Sequence, residues 1–216
     1  MASQVQIGKL ALQHIGDRYD ISSLDEATVE AEQVNLLFED TRDWLLRQHP
    51  WNFAKKFSSP AELTGSGVAA TVPGNWERMY LYPTDCVKMG GIVNPLGDDQ
   101  PAIKFEVARN SDNKRVVLCN VEGAEIWYTA RIEDPTDFDP EFTMAFSYAL
   151  AAKLAMPLTG ERSIANDLMV EARNHVSSAW ETDANEGVEE SSPDADWIRA
   201  RTGVVTNVNT FTANNT

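Results

Sequence analysis

Apolar residues recur at helical spacing near the N-terminus. The positions that share one helical face are Ile7, Leu10, Ala11 and Ile15. Ser3, with Gln6 three residues later, matches the capping-box pattern, and Gly16 can close a helix in the left-handed conformation. The pattern therefore predicts a short helix between Ser3 and Gly16.

A longer helix is predicted next, apolar along one side. Ser23 and Glu26 form a second capping-box pattern, and Pro50 is expected to stop the helix because a residue before proline disfavours the helical region. The apolar stripe consists of Val34, Leu37, Phe38, Thr41, Trp44 and Leu45. The acidic residues that fall largely off this stripe are Glu30, Glu32, Glu39, Asp40 and Asp43.

Residues 51–135 change character, because glycine and proline separate short runs rich in β-branched and aromatic residues. The runs predicted as strands are 78–82, 86–93, 103–108, 115–120 and 125–132. The polar segment 110–114 and the segment 121–123, which contains Glu122 and Gly123, predict two hairpin loops. We expect these strands to form one small antiparallel sheet.

Two more helices are predicted after the strands. Asp139 and Pro140 suit the N-cap and the first helical position, and Pro157 is expected to end the helix they begin. This helix is apolar nearly all round, which is typical of the central helix of a bundle. Thr159 can cap the last helix, whose apolar stripe comprises Ile164, Leu168, Ala172, Val176 and Ala179.

Together the elements predict an α+β fold: a helical bundle of two N-terminal and two C-terminal helices, a β-rich insertion and an extended C-terminal tail. The bundle would comprise residues 1–50 and 136–184, the inserted domain 51–135, and the polar, aperiodic tail 185–216. The side chains expected deep in the core are Val34, Leu37, Phe38, Phe146, Leu150 and Leu154.

The charge balance narrows the class of protein. The chain has 18 Lys and Arg against 33 Asp and Glu, a net charge of −15. This argues against a sequence-reading nucleic-acid binder, because neutralising phosphates requires clustered Lys and Arg. No apolar run approaches the roughly 20 residues that span a bilayer. The first residues lack a signal peptide's unbroken apolar core, so we expect synthesis in a cytoplasm.

Sequence motifs give no support for an enzyme, a cofactor or a metal site. The chain has no glycine-rich phosphate loop, no His-Glu-x-x-His and no nucleophile elbow. His14, His49 and His175 are scattered, which favours surface or boundary positions over a shared metal site. The acidic cluster at 133–139 around Pro135 favours a solvated turn with a helix cap over a general acid–base pair.

Cysteine and aromatic residues of the predicted strands have two interpretations each. Cys86 and Cys119 are better explained as buried small apolar residues than as nucleophiles. Trp76, Tyr80 and Tyr82 alternate along one segment. Packing in the core or between subunits is favoured over a base-stacking platform, because the surroundings are acidic.

Four local patterns stand out along the chain. They are LQHIG at 12–16 followed by ISSL at 21–24, LRQHPWNFA at 46–54, WERMYLYPTDC at 76–86, and YTA at 128–130 leading to DPTDFDPEF at 134–142. Their order and spacing resemble the tail tubular protein A family of short-tailed bacteriophages. The resemblance covers about residues 1–187.

The resemblance implies a structural virion protein rather than an enzyme. Members of this family look like head-to-tail adaptors: rings, usually dodecamers, that join the portal to a tail nozzle similar to tail tubular protein B. Double-stranded DNA would pass through such a ring without sequence-specific binding, and an acidic lining would keep its phosphates from sticking. The resemblance implies no catalytic residue, cofactor or metal. The chain would be made in the host bacterium's cytoplasm and located in the virion neck.

Three sets of residues are candidates for contacts in such an assembly. A portal-docking role is expected for Trp197, Ile198, Arg199, Arg201 and Phe211, because isolated aromatic residues beside Arg are common interface anchors. The alternative is that Trp197 folds back on its own bundle. Nozzle contact is expected for loops containing Gly65, Gly67, Pro95 and Gly97, with mobile solvent loops as the alternative. The acids expected to face the channel or an outer solvated surface are Glu30, Glu32, Glu39 and Asp40.

Other functions remain open at this point. One is a plug or gatekeeper in the phage neck. Another is a virion-associated cell-wall hydrolase, which would need a converging acid pair in a cleft. A third is a soluble cytoplasmic binding protein with no role in a phage.

Overall fold

A computed structural model describes residues 3–16, 21–63, 72–95 and 101–186 of the 216-residue chain. Within these residues the helices are α1 (Gln4–Ile15), α2 (Val29–Leu46), α3 (Pro140–Thr159) and α4 (Arg162–Asn185). The strands are β1 (Lys55–Ser58), β2 (Arg78–Leu81), β3 (Cys86–Ile92), β4 (Glu106–Arg109), β5 (Arg115–Cys119) and β6 (Ile126–Ala130). The predicted α+β class is confirmed. None of the described helices combines the length and the apolarity needed to cross a membrane.

Helix α1 has the two ends that its sequence predicts. The Ser3 side chain accepts a hydrogen bond of 3.1 Å from the backbone N–H of Gln6. Gly16 adopts a φ of 83°, and its N–H donates to the carbonyl of Gln13. Local residues therefore satisfy some of the free backbone groups at each end of the helix.

The predicted start of α2 at Ser23 is wrong. The Glu26 carboxylate does accept hydrogen bonds from the backbone N–H groups of Ser22 and Ser23, at 2.8 and 3.0 Å. The chain then continues through turns, and the helix begins at Val29 with Thr28 as its N-cap. The capping-box hydrogen bonds stabilise a local turn, and they do not by themselves require a helix to follow.

Pro157 does not end α3, contrary to the prediction. The helix continues to Thr159 and is closed by Gly160, whose φ is 73°. Proline's fixed φ is compatible with a helix, and so close to the C-terminus it disturbs only the last turn. Thr159 lies inside α3, where its hydroxyl donates to the carbonyl of Ala155 and accepts from the N–H of Glu161.

Helix α3 is the centre of the helical core. Helices α1 and α2 pack against it, and α4 adds Leu168 and Ala179. The expected core residues Val34, Phe38, Phe146, Leu150 and Leu154 are at most 2% exposed. Leu37 is only half-buried, because it lies at the edge of the α2 stripe.

The strands form two three-stranded antiparallel sheets instead of the single sheet predicted. The first sheet has the order β1-β6-β3, and the second has the order β2-β5-β4. The predicted hairpin at 110–114 joins β4 and β5. The predicted hairpin at 121–123 does not form, because β5 and β6 lie in different sheets and the turn at Gly123, with a φ of 61°, carries the chain between them.

The two sheets pack face to face around one apolar core. The second sheet and the residue after it contribute Tyr80, Tyr82, Val117 and Cys119, and the first contributes Cys86, Ile92, Ile126, Tyr128 and Ala130. A sheet with one apolar face must bury that face against another layer. Each sheet supplies the other with that layer.

Two strand boundaries differ from the prediction. Strand β1 was not predicted, because its sequence KKFS is half lysine and its first three residues are exposed. Strand β4 begins at Glu106 instead of residue 103. Ile103 and Phe105 still pack against the core between the sheets, but they do so outside the strand ladder.

Candidate interaction surfaces

Helix α2 has an exposed face that combines apolar and acidic side chains. Leu36 is 68% exposed, and Val29, seven residues earlier, is 61% exposed. Seven residues make nearly two full helical turns, so these side chains lie on the same side of the helix. The exposed acids around them are Glu32, Glu39 and Asp40. We refer to these five residues as the α2 face.

This face contains three of the four acids that the sequence marks as channel candidates. Glu32 and Asp40 stand four residues before and after Leu36, and Glu39 stands three after it, all within about a fifth of a turn. Glu30 is half-buried and points about 120° away from Leu36 around the helix axis. The structure thus separates Glu30 from the other three.

The first sheet has an open area on the side that faces away from the second sheet. Val87 covers part of that side by packing with the helical core. Farther along, Phe57 lies opposite Trp127 in the pairing of β1 with β6 and is 53% exposed. The Lys55 ammonium lies 5.0 Å from the centre of the Trp127 ring and 5.5 Å from that of Phe57, within the range of a cation–π contact.

A second lysine belongs to the same side of this sheet. Lys88 of β3 pairs with Thr129, which is two residues from Trp127 and therefore on its side of β6. We refer to Lys55, Phe57, Lys88 and Trp127 as the sheet face. A surface depression of about 420 Å³ adjoins it, lined by Lys55, Phe57, Ile92, Val93, Asn94, Ala102 and Trp127. The sheet face is thus basic, aromatic and concave at one edge.

Two glycines of β3 allow the Trp127 ring to lie flat on the sheet. The ladder with β6 shifts register between Met89 and Gly91, so Gly90 is an extra residue in a bulge. A Cβ atom at position 90 would lie 2.1 Å from Cε3 of Trp127, and one at position 91 would lie 2.9 Å from its Nε1. The ring occupies space that any side chain at 90 would need.

We expect Gly90→Ala to displace the Trp127 ring and to lower the free energy of unfolding by about 1–3 kcal/mol, the usual cost of overpacking. Urea unfolding followed by circular dichroism measures the loss, and tryptophan fluorescence reports the displaced ring. In the background Trp127→Ala, the same glycine substitution should cost much less, because the obstructing ring is gone. Equal losses in both backgrounds would show that the ring is not the cause.

Two of the three histidines are brought together, on either side of a tyrosine. The His14 ring stacks on Tyr148 with centroids 3.8 Å apart, and the His175 ring stacks on the same tyrosine at 4.5 Å. His14 Nε2 also lies 3.1 Å from the hydroxyl of Ser147. Burial, with a smaller contribution from the charge of His175, lowers the pKa of His14. The stack joins α1, α3 and α4, and the lowered pKa of His14 favours its neutral form.

His49 has a different partner, the buried carboxylate of Asp183 in α4. His49 Nε2 lies 3.1 Å from Oδ2, and the N–H of Asn52 donates to Oδ1 at 2.9 Å. Burial lowers the pKa of His49, Asp183 acts in the opposite direction, and the charge of Lys88 lowers it further. The arrangement fixes α4 to the segment after α2. Among the described residues, no group of three His, Cys, Asp or Glu side chains could hold a metal ion.

The acidic cluster at 133–139 forms a turn, as predicted. The Asp134 carboxylate accepts hydrogen bonds from the N–H and the hydroxyl of Thr136, at 2.9 and 2.8 Å. The hydrogen bond from the Thr136 backbone lowers the pKa of Asp134. Asp139 occupies the N-cap position of α3. The cluster therefore lies immediately before the N-terminus of α3.

Both cysteines and two of the three residues of the predicted aromatic row are in the core. Cys86 and Cys119 are buried free thiols, and burial raises the pKa of each. Tyr80 and Tyr82 are buried between the sheets, and burial raises the pKa of Tyr82 to about 12. Trp76 packs beside the second sheet's other side. Core packing is therefore confirmed for both tyrosines, and neither is available for base stacking.

Most of the expected portal and nozzle contacts lie outside the described residues. The portal-docking set lies outside them: Trp197, Ile198, Arg199, Arg201 and Phe211. So do three of the nozzle candidates: Gly65, Gly67 and Gly97. Pro95 is described, and it is exposed in a turn just after β3.

Sequence reasoning missed the apolar members of both surfaces. Val29 and Leu36 could have been found, because they fall off the apolar stripe that buries α2. Phe57 and Trp127 are 70 positions apart along the chain, and only strand pairing brings them together. Comparison of the chain with protein-family models and with curated proteins gives no match.

Proposed function

We propose that this chain is a structural subunit of a bacteriophage neck: an adaptor whose copies form a ring between the portal and the tail nozzle. The resemblance of its four sequence patterns to the tail tubular protein A family suggests this role. The observation that carries the proposal is the organisation of its surface. Among the large apolar side chains that are exposed, two groups differ in charge: Val29 and Leu36 lie among acids on α2, and Phe57 lies beside Lys55 on the first sheet.

Exposed apolar side chains are ordinary when they are scattered, and informative when they are grouped. Here Leu36 and Val29 share one helix face, and Phe57 lies against Trp127 and Lys55 on one sheet face. A chain with a net charge of −15 repels its own copies in most orientations. Two surfaces of opposite character suit a subunit that must find its neighbours in one orientation only.

The proposal includes the passage of double-stranded DNA through the ring. Acidic side chains along the channel repel the phosphates and so prevent binding that would slow ejection. The net charge of −15 supplies many such side chains, Glu30 of α2 among the candidates. The segment after Gly187 would reach the portal, with Trp197 and the neighbouring arginines as its anchors.

Purified particles of the phage that encodes the chain test this proposal. We expect the chain in the neck, in as many copies per particle as the portal protein, most simply twelve. Quantitative mass spectrometry of whole particles gives the copy ratio, with the portal protein as the internal standard. Cryo-electron microscopy of the neck gives the position of the ring and the path of the C-terminal segment.

The same particles discriminate among the other functions. A single copy per neck would favour a plug and would contradict the ring. Clearing of peptidoglycan in a zymogram by the purified chain would identify a cell-wall hydrolase. Absence of the chain from washed particles would reject a virion role altogether.

A further inference from the structure

We infer that the α2 face of one copy docks on the sheet face of the next copy of this chain. The inference deepens the proposed function and rests on it, because it names the two surfaces that close the ring. It uses the α2 face as a protein contact and leaves Glu30 as the channel candidate on this helix.

The apolar residues of the α2 face are typical of a protein–protein interface and are not expected on the wall of a DNA channel. Val29 and Leu36 are both more than 60% exposed, and no described segment of the same chain covers them. Two large apolar side chains exposed to water would not help a channel wall to repel DNA phosphates. Burying them against another protein removes apolar surface from water, which is favourable.

The sheet face is complementary to it in chemistry and in charge. Its aromatic pair, Phe57 and Trp127, offers apolar area beside a depression of about 420 Å³. Lys55 is exposed on it, and Lys88 is half-buried, with its charge also acting on His49 of the same chain. In the inferred contact these two positive charges meet three carboxylates, Glu32, Glu39 and Asp40. An acidic helix can dock on a basic, aromatic area without the repulsion that the chain's net charge of −15 otherwise produces.

The pairing is heterologous, because the two surfaces are different parts of one chain. Each copy uses its α2 face on one neighbour and its sheet face on the other, and such head-to-tail contacts close into a ring when the rotation from copy to copy adds up to a full turn. An isologous contact between two α2 faces would instead bring six carboxylates together, three from each copy. That repulsion disfavours a twofold dimer through α2.

Two single-face variants test the pairing. Leu36→Asp spoils the α2 face and keeps the sheet face, and Phe57→Asp does the reverse. Val170→Asp, at a 54% exposed position of α4 outside both surfaces, is the matched control. Each full-length variant is first checked for unchanged circular dichroism and thermal unfolding. Native mass spectrometry and sedimentation velocity then measure the species present over a range of concentrations.

We expect the wild-type chain and Val170→Asp to form dimers and larger species. Leu36→Asp and Phe57→Asp should each lose every species above the monomer. Their mixture should form a heterodimer and nothing larger, because the pair retains one intact α2 face and one intact sheet face. This recovery in the mixture is specific to a contact between these two surfaces.

Several outcomes would overturn the inference. Loss of association in Leu36→Asp alone would indicate an α2–α2 dimer. Unchanged association in both variants would place the contact between copies elsewhere. A wild-type chain that is monomeric at every concentration would show that the α2 face and the sheet face do not bind each other in the purified protein. None of these results affects the copy number in phage particles, so the proposed function stands or falls separately.

Discussion

Phe142→Ala is expected to lower the free energy of unfolding by about 3–5 kcal/mol, the range for truncating a buried phenylalanine. Phe142 has no exposed surface. Its ring lies 5.2 Å from that of Trp51, 4.9 Å from Phe53, 5.0 Å from Phe138 and 6.2 Å from Phe146, centre to centre. These rings come from α3 and from the segments that lead into and out of the β-rich part. Truncation removes the contact that all four share.

Urea unfolding of the purified variant measures this loss. The control is Met144→Ala, two residues along the same helix, at a side chain that is 40% exposed. An exposed position of this kind should change the free energy by no more than about 0.5 kcal/mol. A loss below about 1 kcal/mol for Phe142→Ala would mean that the surrounding rings close the cavity.

Leu150→Ala should cost about 2–5 kcal/mol, because the cavity it leaves is surrounded by packed helices. Leu150 is fully buried in α3, within the core that α1, α2 and α4 share. Thermal and urea unfolding report the change. Leu36→Ala provides the matched control, since it makes the same chemical change at a leucine that is 68% exposed.

The two leucine variants should differ by at least about 1.5 kcal/mol when each is measured as a monomer. Similar losses at both positions would contradict the central place of α3 in the core. The comparison separates burial from helix propensity, because both substitutions put alanine into the middle of a helix.

The helices of this chain are determined mainly by local sequence. The signals at Ser3 and Gly16 act over a few residues, and both form the expected hydrogen bonds. The apolar spacing on α2 and α3 likewise placed Phe38 and Leu150 in the core. Even the wrong start of α2 comes from a real local interaction: the Glu26 carboxylate accepts the predicted type of hydrogen bond, but in a turn. Local hydrogen bonds form in either conformation, so they do not decide between a turn and a helix.

The candidate surfaces were only partly visible in the sequence. The acids of α2 were identified from their spacing, and three of them share an exposed face with Leu36. The sheet face was not predicted, because Lys55 and Phe57 look like an unremarkable charged segment. Their significance depends on Trp127, and that contact exists only because β1 pairs with β6.

The sequence by itself determined the helices, most of the strand segments and the α+β class, because these depend on periodicity and on caps within a few residues. The tertiary structure alone decided that five predicted strands and one unpredicted strand make two sheets. Strand pairing joins residues far apart in the chain, and each strand can satisfy its backbone with several partners. The choice is made by the apolar core that Tyr80, Ile126 and Tyr128 share between the sheets. Burying that core in two layers leaves Phe57 and Trp127 on the open side of the first sheet.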